Sequence, residues 1–504
     1  MKSQKSMKKA TFYIIYLGII AKILSFAKET LMASKIGINY KMDSYLLAFS
    51  TIMLISSLIS DGMIIGIIPL LQEIQERHGI NRKIRFTNNL INITGVFSFI
   101  LIAIGFIGAP VIVKVFGPGF TGKELDKTIL LFRIGLPVIP ISLINAIFSG
   151  FLQSVHSFKG GPKGRVASPI MHIIYLLFFS RFYGLKGLMI TDIVANIVQI
   201  FIFSKGLRTN EFKYFFRFDL KDRYIRKLEY YLIPILAGVG LNELNLSIDN
   251  AVASTLSEGS IAGLSFANNI IDLFLGVFIA AIVTVIFPVL SEDYHKHDEE
   301  HFKSEIRHCF HMVLIIVLPV SIILIIMAEP LVKILFQRGA FNIQASLLTS
   351  RALTNYAIGL TAMALYPLII RAYYSIQDTK TPISIGFRTL ILNGILNLFL
   401  SKFMGPGGIA LSSSISITLA LIYGLIDLNR KLQIEEKSHF KSMTFKMSIS
   451  EIIMTTCLLL IHGAISNILK DSLINNILDV LISATISLGL YVKVCKSLNI
   501  LKSY

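Results

Sequence analysis

Apolar runs long enough to cross a bilayer recur along the whole chain, and no other feature constrains its fold as much. Leu90 to Val113, Ala262 to Leu290, Met312 to Met327 and Ile474 to Val494 are examples. A helix needs roughly 20 such residues to cross ~30 Å of hydrocarbon, and about fourteen runs meet that length. They fall near 11–36, 44–70, 90–113, 128–153, 167–182, 188–204, 231–256, 262–290, 309–328, 347–375, 383–401, 408–428, 447–468 and 474–494. In 504 residues this leaves short connections and no room for a separate soluble domain. The runs are continuously apolar where a membrane barrel would alternate. The expected fold is an all-α polytopic membrane protein with about 14 transmembrane helices.

Charge then reports orientation. Lys and Arg number 48 against 30 Asp and Glu, a net +18. A soluble chain this basic would read as a nucleic-acid binder. With 54% hydrophobic residues this one does not, and no nucleic-acid partner is expected. With the N-terminus in the cytoplasm, 31 basic residues fall in cytoplasmic segments, 10 in outer loops and 7 within spans. That bias places both termini inside. The acidic segment 291–308 runs against the trend, but acids count little in this rule. The basic start followed by Thr11 to Ala21 imitates a signal peptide. Without a small-residue cleavage site it reads as the first membrane helix. Cys309, Cys457 and Cys495 fit neither a disulfide framework nor a zinc motif. The chain has no Trp, so an interfacial aromatic belt rests on Tyr and Phe.

An internal repeat is visible at an offset near 220 residues. Lys28-Glu29 through Ser34 overlays Ile248-Asp249 through Ser254, and Phe116 to Phe120 overlays Gln337 to Phe341. Two six-helix lobes, 1–220 and 221–430, are expected, followed by two additional helices in 431–504. Repeats of this type build transporters with a substrate site between the halves.

Ionisable groups within spans carry the functional signal, because each costs about 2.5–3.5 kcal/mol at a helix centre. Lys22, Lys28 and Glu29 interrupt the first helix, and Asp43 and Asp61 flank the second. This reads as a cationic face with acidic partners, lining a watery cavity that holds an anion; the alternative is snorkelling. On the seventh helix Asn242, Asn245 and Asp249 form one stripe; Asn393 and Asn397 follow on the eleventh, Ser412 to Ser414 on the twelfth. One carboxylate among neutral oxygens suits a hard monovalent cation; the alternative is hydrogen bonding between helices. His297-Asp-Glu-Glu-His301 lacks the zincin spacing, and Gly160-Gly-Pro-Lys-Gly-Arg165 does not fit a phosphate-binding loop and reads as a turn. No nucleophile, base and oxyanion set assembles, so an enzyme is not expected. Neither is a resident cofactor.

At these same residues the chain resembles the MurJ (MviN) family, lipid II flippases of the MOP exporter superfamily. The first helix, Lys22-Ile-Leu-Ser-Phe-Ala-Lys-Glu29, is similar to a family segment, and Gly117-Pro-Gly-Phe120 matches its P-G-F loop. Glu258-Gly-Ser260 with Gly276-Val277, Leu335-Phe-Gln-Arg-Gly-Ala-Phe341 and Tyr374-Ser-Ile-Gln-Asp-Thr-Lys-Thr-Pro382 match further motifs. The resemblance implies alternating access for an undecaprenyl-pyrophosphate-linked peptidoglycan precursor, from the inner to the outer leaflet of the bacterial cytoplasmic membrane. Lys22 and Lys28 would grip the pyrophosphate, with Glu29 and Asp43 as acidic partners. It also implies a sodium site on Asp249, Asn393, Asn397 and Ser413 with the carbonyl of Ile409. Sodium, protons or the membrane potential would drive the cycle, and cell-wall synthesis proteins are expected partners. The sequence departs from the family where two arginines are lysines, where a basic pair is Ser56-Ser57, and where an eighth-helix arginine is Asn269. Lysine keeps the charge but lacks the bidentate fork. Export of another polyprenyl-linked glycan, such as a capsule or teichoic unit, and cation-coupled export of small molecules are the alternatives.

Overall fold

The computed structural model describes residues 2–158, 160–276, 299–432, 438–468 and 471–500, and every regular element among them is helical. In order these are α1 (Lys2–Ile36), α2 (Tyr40–Phe116), α3 (Gly122–Gly135), α4 (Val138–Ser154), α5 (Gly160–Ile174), a π-helical turn (Tyr175–Phe179), α6 (Ser180–Thr209) and α7 (Arg223–Ala253). α8 (Ser260–Gly276) follows. Then come α9 (Glu299–Ile326), α10 (Ala328–Phe336), α11 (Ile343–Ile358), α12 (Leu360–Ser375), α13 (Lys380–Met404), α14 (Pro406–Leu432), α15 (Ser438–Ile468) and α16 (Leu473–Ser497).

Among the described residues eight helices are long and apolar enough to cross a membrane, or nine if the bent pair α11–α12 is one span. The difference from about fourteen lies partly in how helices join. Spans 44–70 and 90–113 both lie within the 77 residues of α2, which bends at Gly79 (φ 76, ψ 175). Only glycine enters that left-handed region without a Cβ clash. Spans 167–182 and 188–204 fuse through the π-helical turn, with a break at Gly184. The expected turn at Gly160 to Arg165 is instead the opening of α5, where Pro162 sits in the first turns. In the opposite sense, 128–153 is divided between α3 and α4 at Pro137, and 347–375 bends by 45° between α11 and α12. The part of 262–290 beyond Gly276 lies outside the described residues.

The chain forms two compact units, Met1–Ala262 and Gly263–Tyr504. In the first, the core gathers around the bend of α2. Leu71, Ile74, Ile84 and Phe86 pack with Phe151, Phe203 and Tyr224. Much of this cluster lies in segments expected to connect spans. There the solvent is water, and each large side chain buried is worth about 1.5–3 kcal/mol. Within the spans lipid gives no such reward, and Phe97, Phe99, Ile104 and Ile107 of α2 stay exposed. In the second unit, α15 and α16 pack Met443, Met447, Met454 and Tyr491 against Leu314, Ile315, Leu318 and Ile322 of α9. The Tyr491 hydroxyl donates to the Ile315 carbonyl at 3.1 Å.

Candidate functional site

Lys28 and Glu29 are neighbours on α1, and both are mostly buried. Their side chains meet, Nζ to Oε1, at 2.8 Å. Lys22 is exposed. It lies about 9 Å along the helix axis from Lys28.

Asp192 of α6 acts electrostatically on the Lys28 ammonium and anchors a buried network. Its Oδ1 lies 2.9 Å from Nε2 of His172 on α5, and its Oδ2 accepts from the Tyr45 hydroxyl of α2 at 3.1 Å. The other ring nitrogen of His172 faces the Ser168 carbonyl at 2.9 Å. Both nitrogens of the imidazole therefore face oxygen atoms, which fixes the ring between α5 and α6. His172, Asp192 and Tyr45 are all buried. Sequence reasoning missed this pair because it followed the excess of lysine and arginine. The available signal was an acid and a histidine inside two apolar runs.

Asp43 has a different setting from the lysines. Its Oδ2 accepts from Gly259 N at 2.6 Å and its Oδ1 from Ala262 N at 2.8 Å. These are amides at the start of α8, where helical backbone leaves donors without partners. Glu258 accepts from Tyr40 N at 2.7 Å in the same joint. The Gly117–Phe120 motif is also a joint: Gly119 N donates to the Ser254 hydroxyl at 3.1 Å. A Cβ on Gly119 would come within 2.0 Å of the Ser254 carbonyl oxygen, so no larger residue fits.

Ser56 shares a short hydrogen bond with Ser142 at 2.5 Å. Ser57 donates to the Met53 carbonyl at 2.6 Å and also engages Glu243 of α7. Asp61 stands near Glu243, so Ser57 faces acidic surroundings, whereas Ser56 is buried against Ser142.

Of the residues assigned to a cation, the second unit brings together Ser413, Asn393 and Ile409. The Ser413 hydroxyl lies 3.5 Å from Asn393 Oδ1 and 3.3 Å from the Ile409 carbonyl. Asn397 lies one turn from Asn393 on α13, and both are fully buried. These neutral oxygens suit a monovalent cation. Asp249 belongs to α7 of the first unit, where it is buried. The side chain of Asn242 lies outside the described residues. Asn269 is half-buried on α8, and its neighbour Asn268 donates to Asp272 at 3.1 Å. The His297–His301 segment falls partly outside the described residues. Among those described, no three His, Cys, Asp or Glu side chains gather as a metal site would need.

The Tyr374–Pro382 motif forms a polar latch. Asp378 accepts from Lys380 N, Thr381 N and the Thr381 hydroxyl, and from Lys431 Nζ of α14 at 2.7 Å. Burial opposes ionisation of Asp378, yet the Lys431 and Thr381 hydrogen bonds prevail and hold its carboxyl down at about 2. Leu335–Phe341 places Phe336 and Phe341 around Phe266, with centroids 5.3 and 5.7 Å from it.

Comparison with known proteins agrees with these motifs. The profile of the family described as "Lipid II flippase MurJ" matches residues 32–478. A "Probable lipid II flippase MurJ" of Rickettsia prowazekii (strain Madrid E) is 26% identical over 430 residues, 84% of each chain. One of Vibrio cholerae serotype O1 is 26% identical over 452 residues, 85% of each. Among solved structures, "Lipid II flippase MurJ, inward closed conformation" aligns with a TM-score of 0.82 at 22% identity, covering 97% of this chain and 99% of that one. An inward-facing multidrug resistance MATE family transporter of the MOP superfamily aligns at 0.70 and 15% identity, covering 82% and 94%.

Proposed function

The chain belongs to the lipid II flippase MurJ family, and from that premise we propose how its residues handle the cargo. The protein translocates lipid II, the lipid-linked peptidoglycan precursor, from the inner to the outer leaflet in cell-wall synthesis. Lys28 engages the pyrophosphate. With no cargo bound, its ammonium is neutralised by Glu29 at 2.8 Å. A pyrophosphate carries more charge than a carboxylate and displaces Glu29 from the ammonium. Lysine serves here as a point charge without arginine's planar fork. Lys22 makes a second contact nearer the N-terminus of α1, and Ser57 supplies a neutral hydroxyl for the glycan.

The membrane potential, about 2.3 kcal/mol per charge per 100 mV, returns the carrier after release. A monovalent cation would be held in the second unit by Asn393, Ser413 and the Ile409 carbonyl, and would supply positive charge to that return. The protein works in the cytoplasmic membrane with both termini inside, and cell-wall synthesis enzymes receive its product.

The Lys28–Glu29 pair carries this reading, being a mostly buried cation with an exchangeable partner. Growth of a strain depleted of its own MurJ tests it. Wild type rescues growth, Lys28→Arg rescues it, and Lys28→Ala does not despite equal membrane abundance. Full rescue by the Lys22→Ala/Lys28→Ala double variant would overturn the assignment.

A further inference from the structure

We infer that residues 210–222, the connection between α6 and α7, form a headgroup site for anionic phospholipid at the membrane surface. Three asparagines on one stretch of α2 hold this strap. Asn88 donates to the Lys213 carbonyl at 2.9 Å and accepts from Phe215 N at 3.2 Å. Asn92 donates to the Arg217 carbonyl at 2.9 Å. Asn89 donates to the Asp219 carbonyl at 2.8 Å and accepts from Asp219 N at 2.7 Å. The side-chain amides do what a neighbouring strand would do for these backbone groups. A segment so satisfied can approach hydrocarbon, where unmet backbone groups are costly.

Residues 212–219 carry no helical or strand pairing, and the stretch from Tyr214 to Leu220 exposes a run of large apolar side chains. Tyr214 is 60% exposed, Phe215 40%, Phe216 77%, Phe218 44% and Leu220 58%. Tyr214, Phe216 and Phe218, at alternate positions, share one face where the backbone is extended. An aromatic face of that size is not left to water without a partner.

The anchoring asparagines fix its depth. Asn92 is one to two turns of α2 before Val96, Phe97 and Phe99, the first large exposed apolar side chains beyond the bend at Gly79. The strap therefore lies about 6–10 Å from the lipid-facing part of the span. Tyrosine and phenylalanine belong at that level, the more so in a chain without Trp.

Charge names the lipid. Asp222 pairs with Arg82 at 2.7 Å and Asp219 with Arg217 at 3.4 Å, which neutralises both acids of the strap's second half. Lys205, Arg208, Lys213 and Lys221 are exposed around it. Basic groups beside an interfacial aromatic face favour anionic headgroups. The inference holds whatever the cargo, because it uses none of the residues assigned to transport.

The absence of native Trp makes the test direct. The full-length Phe216→Trp protein carries a single indole. In nanodiscs of phosphatidylglycerol and phosphatidylcholine its emission should be blue-shifted, quenched by brominated acyl chains and protected from aqueous iodide. Lys213→Gln and Lys221→Gln should each lower the preference for phosphatidylglycerol over phosphatidylcholine by about fivefold, counted by native mass spectrometry of retained lipid. A water-like emission quenched by iodide and indifferent to brominated lipid would overturn the membrane contact and leave the face to a soluble partner. An unchanged lipid preference in both lysine variants would overturn the anionic assignment.

Discussion

His172 and Asp192 act as one group. Each ring nitrogen faces an oxygen, and Asp192 also accepts from Tyr45, so losing either side chain strands buried polar atoms. Removing one member of a buried pair costs about 3–5 kcal/mol, whereas replacing both with apolar residues of similar volume is far milder. His172→Leu should therefore lower the denaturation temperature in detergent sharply, and His172→Leu/Asp192→Leu should recover much of the loss. A double variant at least as unstable as the two singles added together would refute the coupling. Lys83, in the bend of α2 between two spans, makes a contrasting case. It is fully buried, with Nζ 2.7 Å from Gln75 Oε1 and 5.1 Å from the centroid of Phe151. Burial pushes its ammonium down to about 8 from 10.5. The folded protein thus binds fewer protons than the unfolded chain between those values, and stability rises with pH across that window. Lys83→Met should stabilise the protein at pH 7 by about 1–3 kcal/mol and flatten the rise between pH 8 and 10.5, as read by denaturation at several pH values. At this scale the sequence was only partly legible. Lys28 and Glu29 stand out as charges in an oily helix. Spacing alone could not tell that Asp43 bonds the amides at the start of α8, because a carboxylate that caps and one that binds look alike in a chain of letters.

Helices were legible as apolar runs, and their joints were not. The segment 71–89 is polar enough to read as a loop, yet it buries Leu71, Ile74, Ile84 and Phe86 as part of one long helix. A helix need not end where hydrocarbon ends. Outside the first helix, the short motifs that carried the family resemblance turn out to be joints between helices. Gly119→Ala should leave little folded protein in the membrane, because its Cβ must displace the Ser254 backbone. Fluorescence-detected gel filtration of the tagged variant checks this, and a wild-type profile would show that the joint can relax. Lys431→Met tests the polar latch differently. Asp378 would lose the hydrogen bond that does most to hold it ionised against burial, and the variant should lose thermal stability by about 1–3 kcal/mol.

On the scale of the whole molecule, the basic residues set an expected orientation, with 31 of 48 on the side assigned to the cytoplasm. With the native cysteines replaced, Lys123→Cys should react with a membrane-impermeant maleimide in intact cells, and Lys163→Cys only after permeabilisation. The reverse pattern would invert the topology. The compact units divide at Ala262; the expected lobes rest on the sequence repeat, which relates segments without saying which helices pack together. The central claim is that Lys28 carries lipid II across the membrane, and a probe of lipid II in the outer leaflet of MurJ-depleted cells addresses it most directly. The wild-type chain should restore outer-leaflet lipid II and Lys28→Arg should largely retain it. Lys22→Ala/Lys28→Ala, at equal abundance and with an unchanged melting profile, should leave it at the depleted level. Wild-type amounts of exposed lipid II with the double variant would contradict the account.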